Sequence, residues 1–126
     1  MTIILIVEDD FLIALLYEKI LETMGIQTIS ANNGKEAVDL YISLSDKPDI
    51  ILMDHRMPIK NGIVASKEIL EIDNQSKIIF LSADSNLEND VISIGAKKFI
   101  KKPFSIKELI KSIKKILIFS GCTNIV

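Results

Sequence analysis

The sequence predicts an α/β domain built on one doubly wound, five-stranded parallel sheet with five helices. Three observations carry this. Short apolar runs alternate with helix-periodic segments five times along the chain. The runs are continuously apolar rather than alternating, as expected of parallel strands covered on both faces by their crossovers. The 126 residues, 48% hydrophobic, suffice for one continuous core but not for two.

Thr2 to Val7 reads as the first strand. Ile13, Leu16, Tyr17, Ile20 and Met24 then recur on one helical face, and Gly25 supplies the stop. Ile26 to Ser30 is a second strand. Asn33-Gly34-Lys35-Glu36 has the form of a capping box, and the helix it opens turns Ala37, Leu40, Tyr41 and Leu44 inward. Asp49 to Met53 is a third strand followed by a Pro/Gly loop; Ala65, Ile69 and Ile72 mark the third helix. Lys77 to Leu81 is a fourth strand, and Leu87, Val91 and Ile94 line a short, polar helix ending at Gly95. Lys98 to Ile100 is a brief fifth strand. Ser105-Ile106-Lys107-Glu108 is a second capping box, opening a last helix with Ile106, Leu109, Ile110, Ile113 and Leu117 inward. With no repeat, low-complexity tract or linker, residues 1–120 read as one domain and 121–126 as a short C-terminal tail.

Composition narrows the class. The apolar share excludes intrinsic disorder, and the longest apolar run, Phe11 to Tyr17, is far too short to span a membrane. The N-terminus lacks the basic start and small-residue cleavage site of a signal peptide, and the lone Cys122 cannot form an internal disulfide. A reducing cytoplasm is the expected compartment. The net charge of −2 argues against a wholly basic nucleic-acid binder, yet it is unevenly distributed. Residues 1–90 hold 16 acids and 7 bases, whereas residues 91–126 hold 8 lysines and only Glu108. The basic third is either a solvated face or a docking surface for an acidic partner, made of Lys97, Lys98, Lys101 and the outer side of the last helix.

In such sheets, sites lie beyond the carboxyl ends of the strands, near the point where strand order reverses. Glu8-Asp9-Asp10 follows the first strand, Asp54 the third, Ser82-Ala83 the fourth and Lys102-Pro103 the fifth. Converging carboxylates repel unless a cation neutralises them, and hard oxygen ligands favour Mg²⁺. A lysine and a hydroxyl opposite that ion suit phosphoryl oxygens, and a carboxylate can itself accept the phosphoryl group. Taken singly, these residues have plainer readings: Asp9 or Asp10 as a helix cap, Ser82 as a loop hydroxyl, Lys102 as a surface charge. His55, the only histidine, reads as an exposed loop side chain.

Taken together, they resemble the receiver domain of the two-component response-regulator family. The resemblance is carried by Ile6-Val7-Glu8-Asp9-Asp10, by Asp49 to Pro58 around Asp54 with Gly62, by Phe80-Leu81-Ser82-Ala83, and by Gly95 to Phe104. It runs from Ile3 to about Leu117 and implies the flavodoxin-like strand order 2-1-3-4-5.

The resemblance implies that Asp54 accepts a phosphoryl group from a sensor histidine kinase or phosphotransfer protein. Asp9 directly, Glu8 through water, Asp54 and the Arg56 carbonyl would hold Mg²⁺. Lys102 would pair with the phosphate, its bond to Pro103 being cis. Ser82 would bond a phosphoryl oxygen, and Phe99 would turn inward as Ser82 moves. That motion would remodel the face made by the fourth helix, fifth strand and fifth helix, for a downstream effector or for dimerisation of a monomer on phosphorylation. Mg²⁺-dependent self-phosphorylation from a phosphodonor, and autodephosphorylation, are implied as well. Arg56 and Asp84 occupy the variable positions that tune phosphate lifetime in the family.

Only a few residues follow the last helix, so no DNA-binding module is expected; the partners are proteins, with neither nucleic acid nor membrane. Two alternatives keep the same fold: a receiver excised from a larger regulator or hybrid kinase, and a degenerate receiver serving as a scaffold. A flavodoxin-like cofactor binder is excluded, because Glu8-Asp9-Asp10 would repel a flavin phosphate. A hydrolase using Asp54 would typically carry a second Asp at position 56, which here is Arg.

Overall fold

Five parallel strands, β1 (Ile3–Val7), β2 (Gln27–Ala31), β3 (Ile50–Asp54), β4 (Ile78–Ser82) and β5 (Lys98–Lys101), form the centre of the computed structural model, which describes residues 1–119. Their order is β2-β1-β3-β4-β5, the doubly wound arrangement expected from the sequence. The crossovers are α1 (Phe11–Glu22), α2 (Gly34–Ser43), α3 (Gly62–Ile72) and α4 (Glu88–Ser93), the last entered through a 3₁₀ turn at Ser85–Leu87. α5 (Ile106–Phe119) follows β5. The expected 121–126 tail, with Cys122, lies outside the described residues.

Alternation along each buried strand feeds two cores. Ile4, Ile6, Ile50, Leu52, Ile79, Leu81 and Ile100 face α1 and α5, where they meet Tyr17, Leu21, Leu109, Ile113 and Leu117. Leu5, Val7, Ile51, Met53, Ile78, Phe80 and Phe99 face the opposite way, onto Tyr41, Ala65, Ile69 and Val91. Each inward residue loses its contact with water, stabilising the fold by roughly 1.5–3 kcal/mol per large apolar side chain. The edge strand β2 is more polar, and β5, at the other edge, carries exposed Lys98 and Lys101 at its ends. Charge on an exposed edge discourages pairing with another chain.

Several local expectations shift. Leu16, Ile72 and Ile106 are about half-exposed rather than inward. On α1 the face that meets the sheet is Ala14, Tyr17 and Leu21, which swings Leu16 to its flank. Ile72 and Ile106 are the terminal residue of α3 and the first of α5, end positions outside the buried sets Ala65/Ser66/Ile69 and Leu109/Ser112/Ile113/Leu117 of those helices. The first capping box is modified: Asn33 Oδ1 accepts from Glu36 N at 2.9 Å, but Glu36 Oε1 accepts from Asn32 N at 3.0 Å rather than from Asn33. At α5, Ser105 Oγ accepts from Glu108 N at 3.0 Å. Gly25, with φ of 74°, ends the α1 region in the left-handed conformation that favours glycine.

Asp54 and Ser82 were expected just beyond their strands, yet both are the last paired residues of the sheet. Asp54 stands opposite Leu81, and Ser82 opposite Lys101. Ladder bonds therefore fix their backbones while their side chains reach the carboxyl edge.

Candidate functional site

The switch in strand order lies between β2 and β3 on either side of β1, and the acidic residues gather at its carboxyl end. The backbone N–H of Glu8 donates to Ala31 O at 3.1 Å, tying the first residue after β1 to the end of β2. Asp10 caps α1, its Oδ1 accepting from Leu12 N at 2.9 Å and Ile13 N at 3.2 Å. That fixes the turn and leaves Glu8 and Asp9 to face β3. Carboxylate oxygens of Glu8, Asp9 and Asp54 lie within 4.8 Å of one another. Glu8 is 4% exposed and Asp54 7%, whereas Asp9 is exposed.

One cation enters this cluster. Lys102 Nζ donates to Asp54 Oδ1 at 2.7 Å and lies 3.5 Å from Glu8 Oε1. Glu8 Oε2 accepts from Asp10 N at 3.2 Å, but Glu8 Oε1 is buried with no hydrogen bond. Burial, reinforced by the charge of Asp54, pushes the Glu8 carboxyl up to about 7 against the opposing pull of Asp10 N–H and Lys102. For Lys102 burial works toward neutrality, but the bond to Asp54 and the charges of Asp54 and Glu8 outweigh it and leave the ammonium above its ordinary range. Three clustered carboxylates facing one ammonium, with a buried carboxylate oxygen unbonded, are a donor set that can hold a divalent metal ion.

Beside the cluster opens a cleft of about 400 Å³ lined by Asp54, Arg56, Ser82, Ala83, Asp84 and Lys102. Ser82 Oγ accepts from Asp84 N at 3.1 Å, and Ser82 O accepts from Lys102 N at 2.9 Å. The peptide bond between Lys102 and Pro103 is cis, as the resemblance implied. Asp54, Ser82, Lys102 and Arg56 thus share one cleft, and Glu8 and Asp9 adjoin it.

Phe99 does not line the cleft. It is 8% exposed, already inward, with its ring stacked on Phe80 at 6.3 Å and 13°. His55 departs from its expected place: it is half-buried, its ring 5.8 Å from Phe80 and its Nδ1 enclosed without a hydrogen bond. The chain turns back at Gly62, whose N–H donates to His55 O at 3.0 Å, and this draws residue 55 beneath the loop. Burial pulls the His55 imidazole below its ordinary value and favours the neutral ring.

Two structural contributors escaped the sequence reading. Tyr17, read as core, stacks on Phe104 at 6.2 Å and so packs the segment after Pro103 against α1. Its ring is close enough to Lys102, Glu8 and Asp54 to feel their charges. Gly62, noted only as part of the motif, passes so near β3 that a Cβ would lie 2.1 Å from Asp54 O. A glycine in a Pro/Gly loop near a motif aspartate is the available signal for that close approach.

The sequence profile of the response regulator receiver domain matches residues 4–114. The chemotaxis protein CheY of Thermotoga maritima is 40% identical over 116 residues, covering 90% of this chain and 95% of its own. The response regulator TrrA of Thermotoga maritima, solved in complex with Mg²⁺–BeF, superposes with a TM-score of 0.84 at 32% identity, covering 93% of this chain and 100% of its own. A CheX–CheY–BeF₃–Mg²⁺ complex from Borrelia burgdorferi matches with a TM-score of 0.87 at 29% identity, over 92% of this chain and 89% of that one. The chain belongs to the response regulator receiver domain family.

Proposed function

We propose that residues 1–120 form a phosphoacceptor switch in which Asp54 takes a phosphoryl group from the phosphohistidine of a kinase or phosphotransfer protein. The observation that carries this reading is the placement of Asp54 in both groupings at once: the carboxylate cluster with Glu8 and Asp9, and the cleft with Ser82 and Lys102. Lys102 holds Asp54 Oδ1, which leaves Oδ2 as the nucleophile. The new bond forms between Oδ2 and phosphorus as the donor's N–P bond breaks, and the departing imidazole takes its proton from solvent.

Glu8, Asp9 and Asp54, with the Arg56 carbonyl, would hold Mg²⁺, which when bound supplies positive charge beside the phosphoryl oxygens. The Lys102 ammonium, kept charged by its acidic neighbours, offers the opposite side of the phosphoryl group a second cation. Ser82 Oγ acts only as an acceptor toward Asp84 N here, so its O–H is available to donate to a phosphoryl oxygen. Ala83, with its small side chain, leaves room for that group. Arg56 and Asp84 frame the mouth of the cleft and set how readily water enters it to release the phosphate.

A protein donor suits the surroundings of the cleft, because Leu16 and Ile106, both about half-exposed, line an adjoining depression together with Ala83 and Lys102 of the cleft. Output passes through the α4-β5-α5 face to an effector protein or to a second copy. Phe99 lies in this face and, lacking a hydroxyl, has no polar group to draw it outward.

Incubation with acetyl phosphate tests the reading, comparing wild type with Asp54→Asn in the presence and absence of Mg²⁺. Acid-labile phosphate should appear on wild type only, and only with Mg²⁺. Equal labelling of the variant, or none of wild type, would overturn the assignment.

A further inference from the structure

A second concavity lies at the opposite end of the sheet from the acidic cleft. It is a groove of about 580 Å³ between α5 and the amino-terminal ends of β4 and β5. Lys77 enters it just before β4, Lys97 and Lys98 at the start of β5, and Lys111 and Lys115 from α5, with Glu108 the one acid. None of these five ammoniums is in an ion pair with a carboxylate among the described residues, whereas Lys19, Lys35, Lys60 and Lys102 all are. Ile116 and Phe119 give the groove apolar wall, and Phe119 is 81% exposed.

We propose that this groove, which shares β5 and α5 with the proposed output face and so rests on that reading, docks an acidic segment of a partner protein, one whose carboxylates are interspersed with apolar side chains. Charge complementarity selects the occupant: five clustered ammoniums in a chain whose net charge is −2 constitute a local field, not a general one. The residues given after Phe119, Ser-Gly-Cys-Thr-Asn-Ile-Val, include no Asp or Glu. A single-stranded nucleic acid would call for aromatic platforms among the basic groups, and among the described residues the groove has only Phe119. A lipid surface would be met by a convex or flat basic face, whereas these lysines line a concavity with apolar wall that accommodates individual side chains. Lys77 joins the groove from the otherwise acidic first part of the chain, so folding assembles the site. Lys101, Lys107 and Lys114 do not line it.

The test is titration of ¹⁵N-labelled protein with the peptide Asp-Leu-Asp-Phe-Asp-Leu-Asp, against a control with Ser for each Asp. Saturable shifts should centre on the amides of Lys97, Lys98, Lys111, Lys115 and Phe119. Affinity should fall at least tenfold in Lys97→Ser/Lys111→Ser/Lys115→Ser, and also when salt rises from about 50 to about 300 mM. The triple variant should still be labelled by acetyl phosphate as wild type is, which verifies its fold. Asp54→Asn should bind the peptide as wild type does, which separates this proposal from that for the acidic cleft. Shifts spread evenly over Lys19, Lys35 and Lys67, equal binding of the Ser control, or tighter binding of duplex DNA or phosphatidylserine vesicles would overturn it. So would sedimentation showing that the groove lysines instead mediate self-association.

Discussion

Lys102 reaches across the strand between them to hold Asp54, its Nζ 2.7 Å from Asp54 Oδ1, although the two residues are 48 positions apart in the chain. The same ammonium stands 3.5 Å from Glu8 Oε1. It is the only cation in an ion pair with either acid among the described residues, so its removal is felt by the whole cluster.

Lys102→Ala is expected to fold but to accept phosphate from acetyl phosphate about 100-fold more slowly, the order of effect seen when one oriented electrostatic group is removed from a reacting site. Lys102→Arg should not restore the rate, because a planar guanidinium does not reproduce a compact ammonium in this space. Initial rates of phosphate incorporation at saturating Mg²⁺ measure both.

Glu8→Gln should stabilise the Mg²⁺-free protein at pH 8 by about 1 kcal/mol or more, because it removes a buried charge with one unbonded oxygen. In wild type, added Mg²⁺ should raise the urea midpoint, since a ligand of the folded state alone stabilises it. That Mg²⁺ response should be lost in Glu8→Gln and in Asp9→Asn. A wild-type midpoint unmoved by millimolar Mg²⁺ would contradict the metal reading.

Gly62→Ala opposes two effects. Helix propensity alone favours the variant by about 1 kcal/mol. The added Cβ, however, would fall 2.1 Å from Asp54 O and 2.9 Å from His55 Cα, so backbone has to move. Net destabilisation of about 1–3 kcal/mol is expected from overpacking of this kind. A lower urea midpoint together with slower phosphate uptake would show that the displacement reaches Asp54.

Tyr41 OH donates to Asp73 Oδ2 at 2.7 Å, linking α2 to the end of α3. The bond from Tyr41, helped by Gln75 N–H, holds the Asp73 carboxyl below the usual carboxylate range. A lowered folded-state value contributes stability above the unfolded value, and that contribution is lost as pH falls through the folded value. Tyr41→Phe should therefore cost about 1 kcal/mol at neutral pH, and the difference from wild type should shrink in strong acid. Denaturation midpoints of both proteins across the acid range measure it.

Much of the site was legible because each part is announced locally. An apolar run followed by Glu8-Asp9-Asp10, and another leading into Asp54, need no knowledge of the fold to be noticed. Asp10 could be read as a helix cap, and it is one. The misreadings share a cause. His55 is polar and sits in a loop, but the return of the chain at Gly62 tucks it against Phe80. Leu16 satisfies the helical period, yet the sheet meets α1 through Ala14, Tyr17 and Leu21.

The sequence by itself determined the five alternations of strand and helix, the acids and lysine at the strand ends, and the family that these motifs identify. Only the tertiary structure decided that Lys102 pairs with Asp54 while leaving Glu8 Oε1 unbonded, that Phe99 is already stacked on Phe80, and that Lys77 joins the lysines of β5 and α5. Periodicity and motif are properties of neighbouring residues along the chain. Hydrogen bonds, ring stacking and burial depend on ångström distances between segments far apart in it, and strand register sets those distances.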